Sequence, residues 1–155
     1  MADGSSRFRD AEDRAGRNRD ASRAAVAVMT AGSRLAREIE RSLSDADLTL
    51  PQFNVLMVLA ASDEGHLPMH AVIERLISTP SNLSFLSTRM AERGLITKHR
   101  SDEDARVVVV AITEPGWEAL EAAMPLAFAT EKTLLREHRR SDLRDIARLL
   151  RPLIT

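Results

Sequence analysis

At Gly94 the period of the sequence changes, and that change constrains the fold more than any other feature. Before it, from Thr79-Pro80 to Arg93, apolar residues recur at helical spacing, with Leu83, Leu86 and Met90 on one face. After it, Leu95 to Arg100 and Arg106 to Ile112 suit strands, the second holding four consecutive valines. The polar tip Ser101-Asp102-Glu103-Asp104-Ala105 joins them. Thr79 is the expected N-cap of the helix, with Pro80 in its first turn. Gly94 is placed to adopt the left-handed conformation that ends it, with Leu95 supplying the apolar contact. A helix stopped by glycine and followed at once by a projecting β-hairpin admits few architectures.

The flanking segments are helical. Thr49 and Gln52 can form a capping box, Pro51 sits in the first turn, and Leu48 and Phe53 are placed as a hydrophobic staple. The helix that follows runs out by Ser62-Asp63-Glu64-Gly65. Met69 to Leu76 makes a short helix after Leu67-Pro68, so two short helices joined by a tight connection precede the hairpin, the helix-turn-helix layout. About Asp20 to Leu43 forms an apolar-striped helix that Gly32 weakens locally. Thr113 can cap a long closing arm in which Trp117, Leu120, Met124, Ala127, Phe128, Glu131 and Leu135 keep near-heptad spacing, with a kink expected at Pro125. Leu143, Ile146, Ala147, Leu150 and Leu153 mark one more helix. Residues 1–18 lack apolar periodicity and read as a flexible Arg/Asp-rich arm or frayed helix start. The expected fold is mainly α with a small β-hairpin wing: a winged helix-turn-helix at about 48–113 between apolar helices at about 20–44 and 114–154, within one domain of residues 19–155.

Bulk properties bound the function. The chain has 155 residues, 44% of them hydrophobic and 29% charged, enough for one packed core. No apolar run approaches the roughly 18 residues of a spanning helix, and the Arg-rich first twenty residues do not resemble a secretory signal, so the expected compartment is the cytoplasm, without membrane association. There is no cysteine, which removes thiolate metal sites and thiol redox sensing. The net charge is −1, so a nucleic-acid binder of this composition must concentrate its cations locally. Between Arg75 and Arg106, six basic residues stand against four acids.

On a helical wheel the helix from Pro80 to Arg93 turns Ser81, Ser84, Phe85, Thr88 and Glu92 away from its apolar face, with Asn82 and Arg89 on the flanks. Small polar residues near its start let such a helix sit deep in a major groove, where Ser and Asn can bond base edges or phosphates. Its N-terminus favours a phosphate. Phe85 can meet a thymine methyl or another protein surface, or pack on the hairpin base. The hairpin offers Lys98, His99 and Arg100 on one strand and Arg106 on the other, suited to phosphate and to a narrow minor groove. Asp104 can orient Arg106 through a bidentate pair, or the two form only a screened surface pair. Candidate DNA-binding residues are therefore Pro80, Ser81, Asn82, Ser84, Phe85, Thr88 and Arg89 on the helix, and Lys98, Arg100, Asp104 and Arg106 on the wing.

Three stretches, LTLPQFNVLMVLA (48–60), LSFLSTRMAERGLITKHR (83–100) and DEDARVVVVAITEPGWEAL (102–120), resemble the MarR family of bacterial regulators in residues, order and separation. The wing signature falls on Asp104 and Arg106, and the helix-end motif on Met90 through Leu95. The resemblance implies a homodimer whose N- and C-terminal helices interlock. Each chain would present a recognition helix to the major groove and a wing to the minor groove of a pseudo-palindromic double-stranded DNA operator, as a repressor often released by a small phenolic or lipophilic ligand. The two recognition helices of such a dimer must lie about 34 Å apart, or a multiple of that, to read one side of B-DNA. Family members commonly carry Arg where this chain has Phe85 and Ala105; both departures remove a cation and shift the expected grip to Arg106, Lys98 and Arg100.

Other readings of the residues stand beside this one. His66 and His70 have metal-like spacing, but Pro68 breaks any helix that would align them, and no metal or cofactor is expected. No Gly-rich phosphate loop, nucleophile elbow or paired carboxylates point to an enzyme. A helical protein-interaction module is the alternative function, distinguished by the absence of salt-sensitive DNA binding. Met29, Phe53, Met57, Met124 and Phe128 could line an effector cleft or simply belong to the core.

Overall fold

The structure is a computed structural model describing residues 4–14, 16, 18–62, 64–76 and 80–154, with side chains at 4, 6, 10, 13 and 80–82 left undescribed. The chain forms two compact units, Met1–Arg37 and Glu38–Thr155.

The first unit holds helix α1 (Gly4–Arg14) and most of helix α2, which spans Arg19–Leu43. Asn18 caps α2: its Oδ1 accepts from the N–H groups of Asp20 and Ala21, both at 3.1 Å. Helix α1 falls in the segment expected to be an arm or a frayed helix start. It lacks an apolar stripe, but its residues include good helix formers, and Arg9 Nε bonds Ser5 O at 3.3 Å, one turn away.

In the second unit the end of α2 passes through a 3₁₀ turn (Ser44–Ala46) to Asp47, whose left-handed φ of 51° reverses the chain. Helix α3 (Leu50–Ala60) starts with the expected capping box: Gln52 N donates to Thr49 Oγ1 at 3.4 Å and Thr49 N to Gln52 Oε1 at 3.0 Å. Leu48 and Phe53, the staple positions, are both buried. Helices α4 (Met69–Arg75) and α5 (Pro80–Glu92) form the helix-turn-helix; the Thr79 cap lies outside the described residues. Strands β2 (Ile96–Arg100) and β3 (Val108–Ile112) make the wing, followed by α6 (Glu114–Leu134), α7 (Arg140–Leu150) and a closing 3₁₀ turn (Arg151–Leu153). Helix α6 runs on past Pro125, the expected kink.

The hairpin does not stand alone. Strand β1 (His66–Pro68) pairs antiparallel with β3, giving a three-stranded sheet in the order β1-β3-β2, with Leu67 opposite Val110 and Lys98 opposite Val110 on the other side. Three residues ending in proline carry no readable alternation, and proline is tolerated because β1 is an edge strand. Gly65, with φ 69°, turns the chain into β1, and its carbonyl accepts from Ile112 N at 2.9 Å. The core gathers Leu43, Leu56, Leu59, Leu83, Met90, Ile96, Val110 and Leu120, so α2, α3, α5, α6 and the sheet share one interior. Among the described residues no helix is long and apolar enough to cross a membrane.

Candidate nucleic-acid interface

Burial divides α5 into two faces. Leu83, Ser87 and Met90 are buried and Leu86 is half-buried, whereas Ser84, Phe85, Thr88, Arg89 and Glu92 are exposed. The side chains of Pro80, Ser81 and Asn82 lie outside the described residues. Phe85 is 68% exposed, so packing against the hairpin base is ruled out. Arg89, one turn further on, places its guanidinium carbon 5.7 Å from the Phe85 ring centroid, within cation–π range.

The wing is fastened to this helix by Lys98. Its Nζ donates to Thr88 Oγ1 at 3.2 Å and to Ser87 Oγ at 3.4 Å. The wheel position of Ser87 reads as core, yet it is a buried hydroxyl that accepts from Lys98 and donates to Ser84 O at 3.0 Å. Ser84, Lys98 and Arg106 line one cleft of about 430 Å³ between α4, α5 and the wing, so the structure brings helix and wing candidates together.

Two wing expectations change. Asp104 does not hold the Arg106 guanidinium: its Oδ1 accepts from the Arg106 backbone N–H at 2.9 Å, while Val107 N donates to Asp104 O at 2.9 Å. A carboxylate two residues ahead of an N–H closes such a turn at short range, ahead of any pairing with a long side chain. The Arg106 side chain is left exposed, and β3 begins at Val108 instead of Arg106. Arg100 bonds Ala105 O through Nη1 at 3.0 Å, bracing the wing tip from the opposite strand.

The far end of α5 is locked in place. Gly94 (φ 72°) donates to Ala91 O at 2.9 Å and Leu95 N to Met90 O at 3.0 Å, the Schellman pattern, with Met90 and Leu95 both buried. Thr113 Oγ1 donates to Gly94 O at 2.6 Å and accepts from Gly116 N at 3.1 Å, so one hydroxyl joins the end of α5 to the start of α6. Arg93 reaches back across the sequence to Asp47 Oδ2 at 2.7 Å, Asp47 O at 2.8 Å and Gln52 Oε1 at 3.2 Å. That guanidinium ties α5 to the capping box of α3. The sequence shows Arg93 only as one cation among six.

The effector-cleft candidates of the second unit take different places. Phe53 is buried in the core, Met57 lines a depression with His66 and Arg75, and Phe128 lines another with His138 and Leu143. Met124 is half-buried on α6, and Met29 is exposed on α2 in the first unit.

A helix-turn-helix with an antiparallel wing bonded to its second helix defines a winged-helix regulator. The family model described as transcriptional regulator SarA/Rot matches residues 37–122. The transcriptional regulator HosA of Escherichia coli is 33% identical over 89 residues, which is 57% of this chain and 64% of HosA. Among solved structures, the MarR family regulator Sco5413 of Streptomyces coelicolor is 26% identical with a TM-score of 0.77, covering 88% of this chain and 94% of that one. Sco3205, a MarR family regulator from the same organism solved in complex with DNA, has a TM-score of 0.82 at 19% identity, covering 88% and 90%, a likeness of fold. The chain belongs to the MarR-type transcriptional regulators, within the reach of the SarA/Rot model.

Proposed function

We propose that this chain acts in the cytoplasm as a homodimeric repressor, laying α5 in the major groove and the wing along the minor groove of a pseudo-palindromic operator. The observation that carries the reading is the juxtaposition on one surface of exposed Ser84, Phe85, Thr88 and Arg89 with Lys98 and Arg106, three cations without a carboxylate partner among the described residues. Such an array meets phosphate with charge and base edges with small polar groups. Dimerisation finds support in the exposed Ile146, Leu149, Leu153 and Ile154 at the C-terminal end and, in the first unit, in exposed Val26, Val28 and Met29. Release by a small phenolic or lipophilic ligand belongs to the reading through the family resemblance.

The test is Arg106→Ala. Its side chain is exposed and holds no hydrogen bond or ion pair among the described residues, so the variant should fold normally and lose at least roughly ten-fold in operator affinity. Its log affinity against log salt should flatten by about one per chain. Unchanged affinity at moderate salt would contradict the wing's role.

A further inference from the structure

The outward face of α5 carries one residue that ordinary phosphate contact does not explain. Phe85 is 68% exposed on the outward side of α5 beside Ser84, and with Arg89 it borders the depression that also holds Asp47 and Gln52. Its ring can neither donate nor accept, so laying it on the donors and acceptors of a base edge would strip them of water without replacement. The feature of the major groove that rewards an apolar ring is the C5-methyl of thymine. Arg89 is the second half of the observation. Its guanidinium lies 5.7 Å from the centroid of the Phe85 ring and has no carboxylate partner among the described residues. Resting on the ring restricts a flexible side chain before DNA arrives, while the edge of the guanidinium keeps its paired donors. Those donors match O6 and N7 of guanine. The two residues are one helical turn apart, so their Cβ atoms lie about 5–6 Å from each other. The guanidinium carbon and the ring centroid lie 5.7 Å apart, between one and two base steps of about 3.4 Å, so the two groups meet neighbouring positions of a site.

We propose that Phe85 and Arg89 form a single reading unit for a thymine and an adjacent guanine in each half-site, Phe85 covering the thymine methyl and Arg89 bonding the guanine edge. The unit gives this chain a base preference different from that of relatives with arginine at the Phe85 position. It rests on the DNA-binding reading above.

The experiment selects duplexes from a random-sequence pool with the full-length protein, then replaces each thymine of the selected site by deoxyuridine, which removes only the methyl. Wild-type protein should lose roughly four-fold in affinity at one thymine per half-site. Phe85→Ala should bind the thymine and uridine duplexes alike, and Phe85→Leu, which keeps an apolar contact, should recover part of the difference. Arg89→Lys should lose roughly five-fold or more of the preference for guanine at the neighbouring position, because lysine keeps the charge but not the paired donors. Wild-type indifference to every methyl, which needs no variant to observe, would overturn the proposal. So would a Phe85→Ala protein that still distinguishes the methyl, or an Arg89→Lys protein that reads guanine as before, as a phosphate contact would. Failure to select any sequence would overturn the DNA-binding reading itself, an outcome distinct from selection without methyl dependence.

Discussion

Gly116 shows how much a single residue decides where the wing meets the closing helix. A Cβ built there would lie 2.1 Å from Leu95 O and 2.9 Å from Ile112 Cγ1, so the first turn of α6 can touch the backbone after α5 only without a side chain. Gly116→Ala should therefore cost about 2–3 kcal/mol through forced separation of packed backbone. In urea unfolding this appears as a lower midpoint with an unchanged slope; a midpoint equal to wild type would show that the approach is slack. Nothing in the order Pro-Gly-Trp announces this contact, because it depends on Leu95, about twenty residues earlier. The caps at Thr49, Gly94 and Thr113 were legible for the opposite reason: each is completed within a few residues of itself, apart from the extra bond from Thr113 to Gly94.

At the scale of elements, helix α5 is held along its wing side and at its end. Lys98 bonds it to the wing, the Schellman turn ends it, and Arg93 clamps it to the start of α3. Arg93→Met should lower stability by about 1 kcal/mol: three hydrogen bonds go, but Asp47 is largely exposed and Gln52 keeps its bond to Thr49. Thermal unfolding checks this, and a variant as stable as wild type would show the clamp to be ornamental. Helices α3 to α6 and both wing strands were readable because periodicity and caps are local signals. Strand β1 was not, since three residues carry no period and its partner lies more than forty residues on. The wing tip was not readable from spacing alone: Asp104 bonds the backbone N–H of Arg106, whereas the sequence pointed to its guanidinium.

For the whole molecule, apolar surface and charge are separated by task. Ile146, Leu149, Leu153 and Ile154 expose apolar surface at the C-terminal end, while Arg89, Lys98 and Arg106 provide local positive charge in a chain whose net charge is −1. A dimer built on the apolar helices would present that cationic face twice, with Lys98 and Arg106 of two chains neutralising phosphates on both half-sites. The most direct measurement is a titration of a selected pseudo-palindromic duplex over a series of salt concentrations, with the mass of the complex read alongside. Four such phosphate contacts at about −0.9 each predict a log–log slope of about −3.6 or steeper, with two chains per duplex. A salt-independent interaction, or one with no preference for the selected sequence, would contradict the account.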